Sequence, residues 1–213
     1  MSASNKLSSC LEDSVAFHTQ DASAAGDVPR YTGTMQAMHW ITATQLFCAY
    51  LAAWMIDSAA NPAQGARLVM LHRSFGVTIL LLATIRIVIR RRSRIPPLPP
   101  SLPTIQRLAA RANALLLYGL LIVQPLLGLI ASMLHGDRIV LFGSSALPSW
   151  LPPDKSLAHR IFQLHGWTAL TLLALIGMHI AAALYHHFVR RDAVLAGMLP
   201  GVRPLTIPAN IRP

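Results

Sequence analysis

Three stretches of this chain, Tyr31 to Ile56, Ala112 to Leu134 and Ile161 to Val189, contain no Asp, Glu, Lys or Arg. Each is long enough to cross a hydrocarbon core, which takes about 20 apolar residues as a helix. Backbone in lipid has no water to bond to, so a spanning segment must satisfy its own N–H and C=O groups, as an α-helix does. A fourth stretch, Leu68 to Ile89, is apolar apart from His72, Arg73 and Arg86. Soluble amphipathic helices show a polar face, and these segments do not. The expected fold is an all-α membrane protein, a four-transmembrane-helix bundle. Its helices run near Gln36–Ile56, Arg67–Ile89, Ile105–Leu134 and Ala158–Val189.

The chain divides into a tail over 1–33, a membrane domain over 34–200 and a second tail over 201–213. The first tail is rich in Ser and Ala and lacks the apolar core of a signal peptide. The inner connection IPPLPPSLP is too rich in proline to be helical and is expected to be extended. The outer connection from His135 to Leu157 is the longest, and Trp150 with Pro152-Pro153 suggests a compact loop on the membrane interface.

A net charge of +10 raises the question of nucleic acid, and its distribution argues against that partner. Arg30, Arg90, Arg91, Arg92, Arg94, Arg107, Arg111, Arg190 and Arg191 all fall on one side of an up-down four-helix topology. The other side has Arg67, Arg138, Lys155 and Arg160, with Asp57, Asp137 and Asp154 among them. The positive-inside rule then puts both termini in the cytoplasm, and the basic surplus also favours contact with anionic membrane lipid. Cys10 and Cys48 have no CxxC partner, so no disulfide framework or zinc site is indicated, and no CxxCH occurs.

Four histidines sit inside the apolar spans: His39, His72, His165 and His179. Ionisable groups at such depths are costly and mark functional sites by default. His165 and His179 are fourteen residues apart, which is roughly 21 Å along a helix and only about 40° around it. Depth can be read from the nearest basic residue. His72 lies five residues after Arg67 and His165 five after Arg160; His39 lies nine after Arg30 and His179 eleven before Arg190. The four therefore sort into two level pairs, His39 with His179 near the inner side and His72 with His165 near the outer side. Imidazole is a common iron ligand, so the arrangement suits two bis-histidine haems, with haem iron held at each pair. Without CxxCH they are non-covalent. Iron with two strong axial ligands has no open position and passes electrons. The same histidines also suit hydrogen bonds between neighbouring helices.

Arg86 lies fourteen residues after His72 and so points from the same helix face at the inner level. A buried arginine needs an anion, and a haem propionate is the natural one; snorkelling to the inner interface is the alternative. Arg73 and Arg160 are placed to serve outer propionates. His186 and His187 read as surface groups or a rim for a quinone head. His135 and His159 read as interfacial groups, with a proton relay as the alternative. Gln124-Pro125 marks a kink. Gly76, Gly128, Gly166 and Gly177 remove side chains where a flat macrocycle or another helix approaches.

These segments resemble the prokaryotic cytochrome b561 family of four-helix membrane di-haem proteins. The resemblance rests on MHW at Met38–Trp40, LHRSFG at Leu71–Gly76, LHGWTAL at Leu164–Leu170 and GMHIAAALYHHFVRRDAVL at Gly177–Leu195. It implies two non-covalent haem b groups on His39, His72, His165 and His179, with ubiquinone as the electron partner. It further implies a multi-pass protein of the bacterial inner membrane, with oxidation of superoxide at the outer face and electrons passed to ubiquinone. Arg67, Arg73, Arg138, Lys155 and Arg160 are placed to guide a small anion there, against the opposing acidic residues. Ala196 and Gly197 stand where the family often has arginine. The competing function is a non-catalytic haem anchor, carrying electrons for a separate dehydrogenase, hydrogenase or reductase as its protein redox partner. A haem-free membrane scaffold is the third.

Overall fold

The computed structural model describes residues 31–93, 103–192, 194–199 and 201. Arg30 and most of the N-terminal tail, Arg94, the greater part of the proline-rich connection and the C-terminal tail beyond residue 201 lie outside them. Four long helices make up most of what is described: α1 (Gly33–Ile56), α2 (Pro62–Arg92), α3 (Thr104–His135) and α4 (Lys155–Tyr185). Helices α2, α3 and α4 (the last with its continuation to Arg190) are long and apolar enough to cross a membrane. Helix α1 is 24 residues long and free of charged residues, and is not among these three.

The helix starts follow from capping chemistry. Thr32, Asn61 and Asp154 each accept a hydrogen bond from a backbone N–H in the first turn of the helix they precede. Pro62 at the first position of α2 extends that helix five residues ahead of the expected start, because proline is preorganised there and has no N–H to lose. Helix α3 ends at Gly136, whose left-handed backbone (φ 89°) returns its N–H to the carbonyl of Met133.

Close packing of helix on helix runs in chain order: α1 on α2, α2 on α3, α3 on α4. Among the described residues, α4 makes no comparable backbone approach to α1 or α2. Side chains bridge that gap, and Tyr50 Oη of α1 donates to the carbonyl of Ala169 on α4 at 2.7 Å. Only Ala158 and Leu172 of α4 are buried.

The outer connection departs from an all-α fold. It contains a two-stranded antiparallel hairpin, β1 (Ile139–Leu141) with β2 (Ser145–Leu147). The hairpin folds back on the outer part of α2. Ile139 is 1% exposed, and Phe142 N donates to the buried Ser74 Oγ at 2.9 Å. At the other end α4 does not continue as α-helix to Val189. It passes into a π turn, His186–Arg190, and reverses at Arg191, a non-glycine residue with φ 52°. A short 3-10 turn, Ala196–Met198, then crosses the end of α1. Gln36 Nε2 donates to the carbonyl of Gly197 and Trp40 Nε1 to that of Met198, both at 2.9 Å.

Asp137 ties the outer end together. Its carboxylate pairs with Arg73 of α2 and lies 2.8 Å from His135 Nδ1 at the end of α3. Partial burial alone would raise the proton affinity of Asp137. The His135 hydrogen bond and the Arg73 charge outweigh that and hold its carboxyl below the usual carboxylate range. The stability it contributes is therefore present above the carboxylate's unfolded pKa and is lost as pH falls through the lower folded one. Thermal unfolding in detergent should show a destabilisation on acidification below about pH 4, part of which is missing in Asp137→Asn. Identical acid limbs in the two proteins would remove Asp137 as a pH-dependent tie.

Candidate redox site

His39, His72, His165 and His179 meet across the gap beside α4. His39 of α1 and His179 of α4 have ring centres 6.2 Å apart, with their planes inclined at 54°. His72 of α2 and His165 of α4 have ring centres 6.1 Å apart, with planes at 89°. Helix α4 thus supplies one imidazole to each pair, and α1 and α2 supply the others.

The spacing can be tested against a shared metal. With a metal–nitrogen bond of about 2.0 Å and about 1.1 Å from nitrogen to ring centre, two axial imidazoles have centres about 6.2 Å apart. Both pairs fit that figure. The outer pair also shows the anchoring expected of metal-bound imidazole. His72 Nδ1 lies 2.8 Å from the carbonyl of Ala49, and His165 Nδ1 lies 3.1 Å from that of Gln124. A carbonyl can only accept, so each Nδ1 carries the proton and each Nε2 keeps its lone pair.

Gln124 is the residue that reading the sequence for ligands missed. Beyond preceding the helix-interior Pro125, it reaches across to α4. Its amide nitrogen donates to the carbonyl of His165 at 2.9 Å, and Thr168 Oγ1 donates to its amide oxygen. The same nitrogen lies 3.3 Å from His165 Nε2 and is the group that ligation there would displace. Gly128 completes the cradle. A Cβ at this position would stand 3.0 Å from His165 Cε1 and 3.3 Å from its Nδ1, so tight that the ring would have to shift by a few tenths of an ångström. Gly76 would make only ordinary contact with Pro125, and Gly166 and Gly177 face open space on α4.

The arginines differ in what they meet. Arg86 Nη2 lies 3.3 Å from His39 Nδ1, and its guanidinium stands 5.5 Å from the centre of the Tyr118 ring. Arg90 stands over the same ring at 5.7 Å. Both border a small cavity of about 20 Å³ closed by Met198 of the crossing turn. Arg73 is committed to Asp137, so its charge is already met and it is no free partner for a propionate. Arg160 is exposed and makes no ion pair among the described residues.

His186 is not the surface group expected. Its Nδ1 lies 2.6 Å from Asp192 Oδ2 with the side chain only 17% exposed, because the reversal at Arg191 folds Asp192 back under the π turn. His187 is exposed and stacks edge-on against Phe188. His135 is bound to Asp137 and packs edge-on to Phe162.

A sequence model of the family described as prokaryotic cytochrome b561 matches residues 30–201. The chain is 33% identical over 171 residues to cytochrome b561 homolog 2 of Escherichia coli strain K12, covering 80% of this chain and 91% of that protein. It is 28% identical over 174 residues to cytochrome b561 homolog 1 of the same organism, covering 80% of this chain and 97% of that protein. A third relative, named probable superoxide oxidase CybB, of Yersinia pestis, is 28% identical over 174 residues, with 82% and 98% covered.

The two kinds of glycine on this site separate cleanly by mutation. Gly128→Val should force the His165 ring off its perch and lower the b-type haem absorbance of the purified chain. Gly166→Ala, with nothing within 4 Å of the added carbon, should leave it unchanged. Equal haem content in both variants would mean that Gly128 has no part in seating His165.

Proposed function

The chain belongs to the prokaryotic cytochrome b561 family, whose members carry out membrane electron transfer with haem b, and from that premise we propose that it is a di-haem electron carrier linking the two faces of the bacterial inner membrane. All four helices cross the bilayer, with both termini in the cytoplasm. The observation that carries the reading is the pair of imidazole pairs, each spaced for one shared iron, at two levels of α4. His39 and His179 hold the inner haem, and His72 and His165 the outer. When bound, each iron takes up and gives up one electron.

The residues of the chain do the rest. Carbonyls of Ala49 and Gln124 fix the tautomer and aim of His72 and His165. Arg86 or Arg90 receives an inner propionate, and Arg160 is the free arginine for an outer one. The crossing turn, held by Gln36 and Trp40, covers the start of α1.

Ubiquinone is the electron acceptor in this reading. An open groove of about 770 Å³ between α2 and α3 supports it, lined by Leu115, Ile122 and Val123 with Arg90 and Tyr118 at its head. That volume is within the range of small-molecule sites, and Tyr118 and Arg90 also border the cavity beside Arg86. Superoxide is the donor at the outer face, where Arg67, Arg138, Lys155 and Arg160 remain after Asp137 has taken Arg73. Oxidising superoxide releases dioxygen and one electron. Reducing a quinone to quinol takes two electrons and two protons, so two outer events match one inner event.

Haem per polypeptide, from the reduced-minus-oxidised visible spectrum in mild detergent, should be two for the parent and one each for His39→Ala and His72→Ala. A haem-free parent, or variants that keep both, would return the histidines to helix packing. The superoxide reaction should slow as ionic strength rises and in charge-reversal variants of Arg138 and Arg160. A rate indifferent to both would exclude steering by this rim. Copurification of a stoichiometric partner, with no turnover by the chain alone, would favour the anchor-subunit reading.

A further inference from the structure

The outer and inner imidazole pairs are oriented by different means. A ring that binds metal through one nitrogen is held in plane by what its other nitrogen meets. At the outer pair that part falls to backbone carbonyls, Ala49 for His72 and Gln124 for His165. Among the described residues no carbonyl accepts from His39 or His179, and His39 Nδ1 meets only the long, rotatable side chain of Arg86. The group that stands firmly against His39 is its neighbour in sequence. The Trp40 indole meets the imidazole nearly at right angles, with ring centres 5.3 Å apart and planes at 83°.

Consecutive side chains leave a helix about 100° apart and do not ordinarily face each other. This indole is turned toward the imidazole with its far end tied. Trp40 Nε1 donates to the carbonyl of Met198 at 2.9 Å, across 158 residues of sequence. One turn earlier on the same face of α1, Gln36 Nε2 donates to the adjoining carbonyl of Gly197, also at 2.9 Å. An indole N–H taken out of water needs such an acceptor. The turn that offers these carbonyls is itself fastened. Arg191 reverses the chain at φ 52°, and Asp192 then faces His186 Nδ1 at 2.6 Å with one carboxylate oxygen while the other accepts from Val194 N at 3.1 Å. Contacts thus run from Asp192 along the 3-10 turn to the carbonyl of Met198, and through the indole to His39.

We propose that Trp40 is the positioning residue of the inner pair: pinned by the turn that follows α4, its ring sets the plane of His39 against that of His179. This rests on the two-haem reading above, in which His39 is a ligand. The indole does for His39 what the carbonyls of Ala49 and Gln124 do for the outer rings, and the chain beyond α4 becomes part of the inner site.

The test is electron paramagnetic resonance of the oxidised holoprotein, with haem counted on every sample. In low-spin ferric haem the largest g value follows the angle between the two axial imidazole planes, so the spectrum reads ring orientation directly. His72→Ala and His39→Ala, each holding one haem, assign the inner and outer features. Trp40→Phe keeps an aromatic ring and removes the N–H. It should shift and broaden the inner feature and leave the outer one in place. Asp192→Ala unties the turn without touching α1 and should change the inner feature in the same sense, whereas Asp192→Asn keeps an acceptor for Val194 N and should stay near the parent. Asp192→Ala decides the matter where Trp40→Phe yields no stable protein. An inner feature unchanged in Trp40→Phe with both haems retained would overturn the proposal and leave the two-haem reading intact. So would an inner feature that answers to Trp40→Phe but not to Asp192→Ala, because the indole would then hold its place without the turn. A parent protein without haem would overturn both.

Discussion

Helix α4 stands off from α1 and α2, and what fills the space between them decides what this molecule can be. Between helices in lipid there is no hydrophobic driving force, because the surrounding chains are as apolar as leucine. A gap in such a bundle closes unless something holds it. Here the bridging groups are two pairs of imidazoles and the Tyr50 hydroxyl, while the firm helix-on-helix contact of α4 is with α3. Gln124 and Thr168 lock that contact at the level of the outer pair.

The two ends of the opening are finished differently. Outside, a hairpin and a charge-neutral cluster of Arg73, Asp137 and His135 cover the top of α2. Inside, the chain turns sharply after α4 and lays two carbonyls on Gln36 and Trp40, leaving Arg86 and Arg90 without acidic partners among the described residues. Among the described residues, one end of the bundle is thus closed by a neutral ion-pair cluster and the other keeps two arginines packed on the Tyr118 ring.

Much of this was legible in the amino-acid order because helices translate sequence distance into depth at a constant rise. Counting from the nearest arginine levels His39 with His179 and His72 with His165, and the rings of these pairs have centres 6.2 and 6.1 Å apart. The same arithmetic says nothing about side chains that meet across the fold. Arg73 and Asp137 are 64 residues apart, and no local pattern couples them. Gln124 could be read beside Pro125 as a kink, but not as the clamp on His165. The hairpin strands are three residues each, too short for alternation to register. His186 looked like a surface residue because the reversal that brings Asp192 to it depends on a left-handed arginine, a conformation that sequence rarely advertises.

The turn across the inner end also sets an order of assembly. Gln36 and Gly197, joined by one hydrogen bond, are 161 residues apart, so the first helix to be made is latched by nearly the last part of the described chain. Synthesis runs from the N-terminus. Helix α1 must therefore wait unlatched while the three further long helices are made. His39 is likewise the earliest of the four histidines to leave the ribosome, and its partner His179 the latest. The outer pair spans a shorter interval of synthesis, from His72 to His165. The His39–His179 pair is thus complete only once α4 has been made, and a nascent chain stopped before α4 has neither pair.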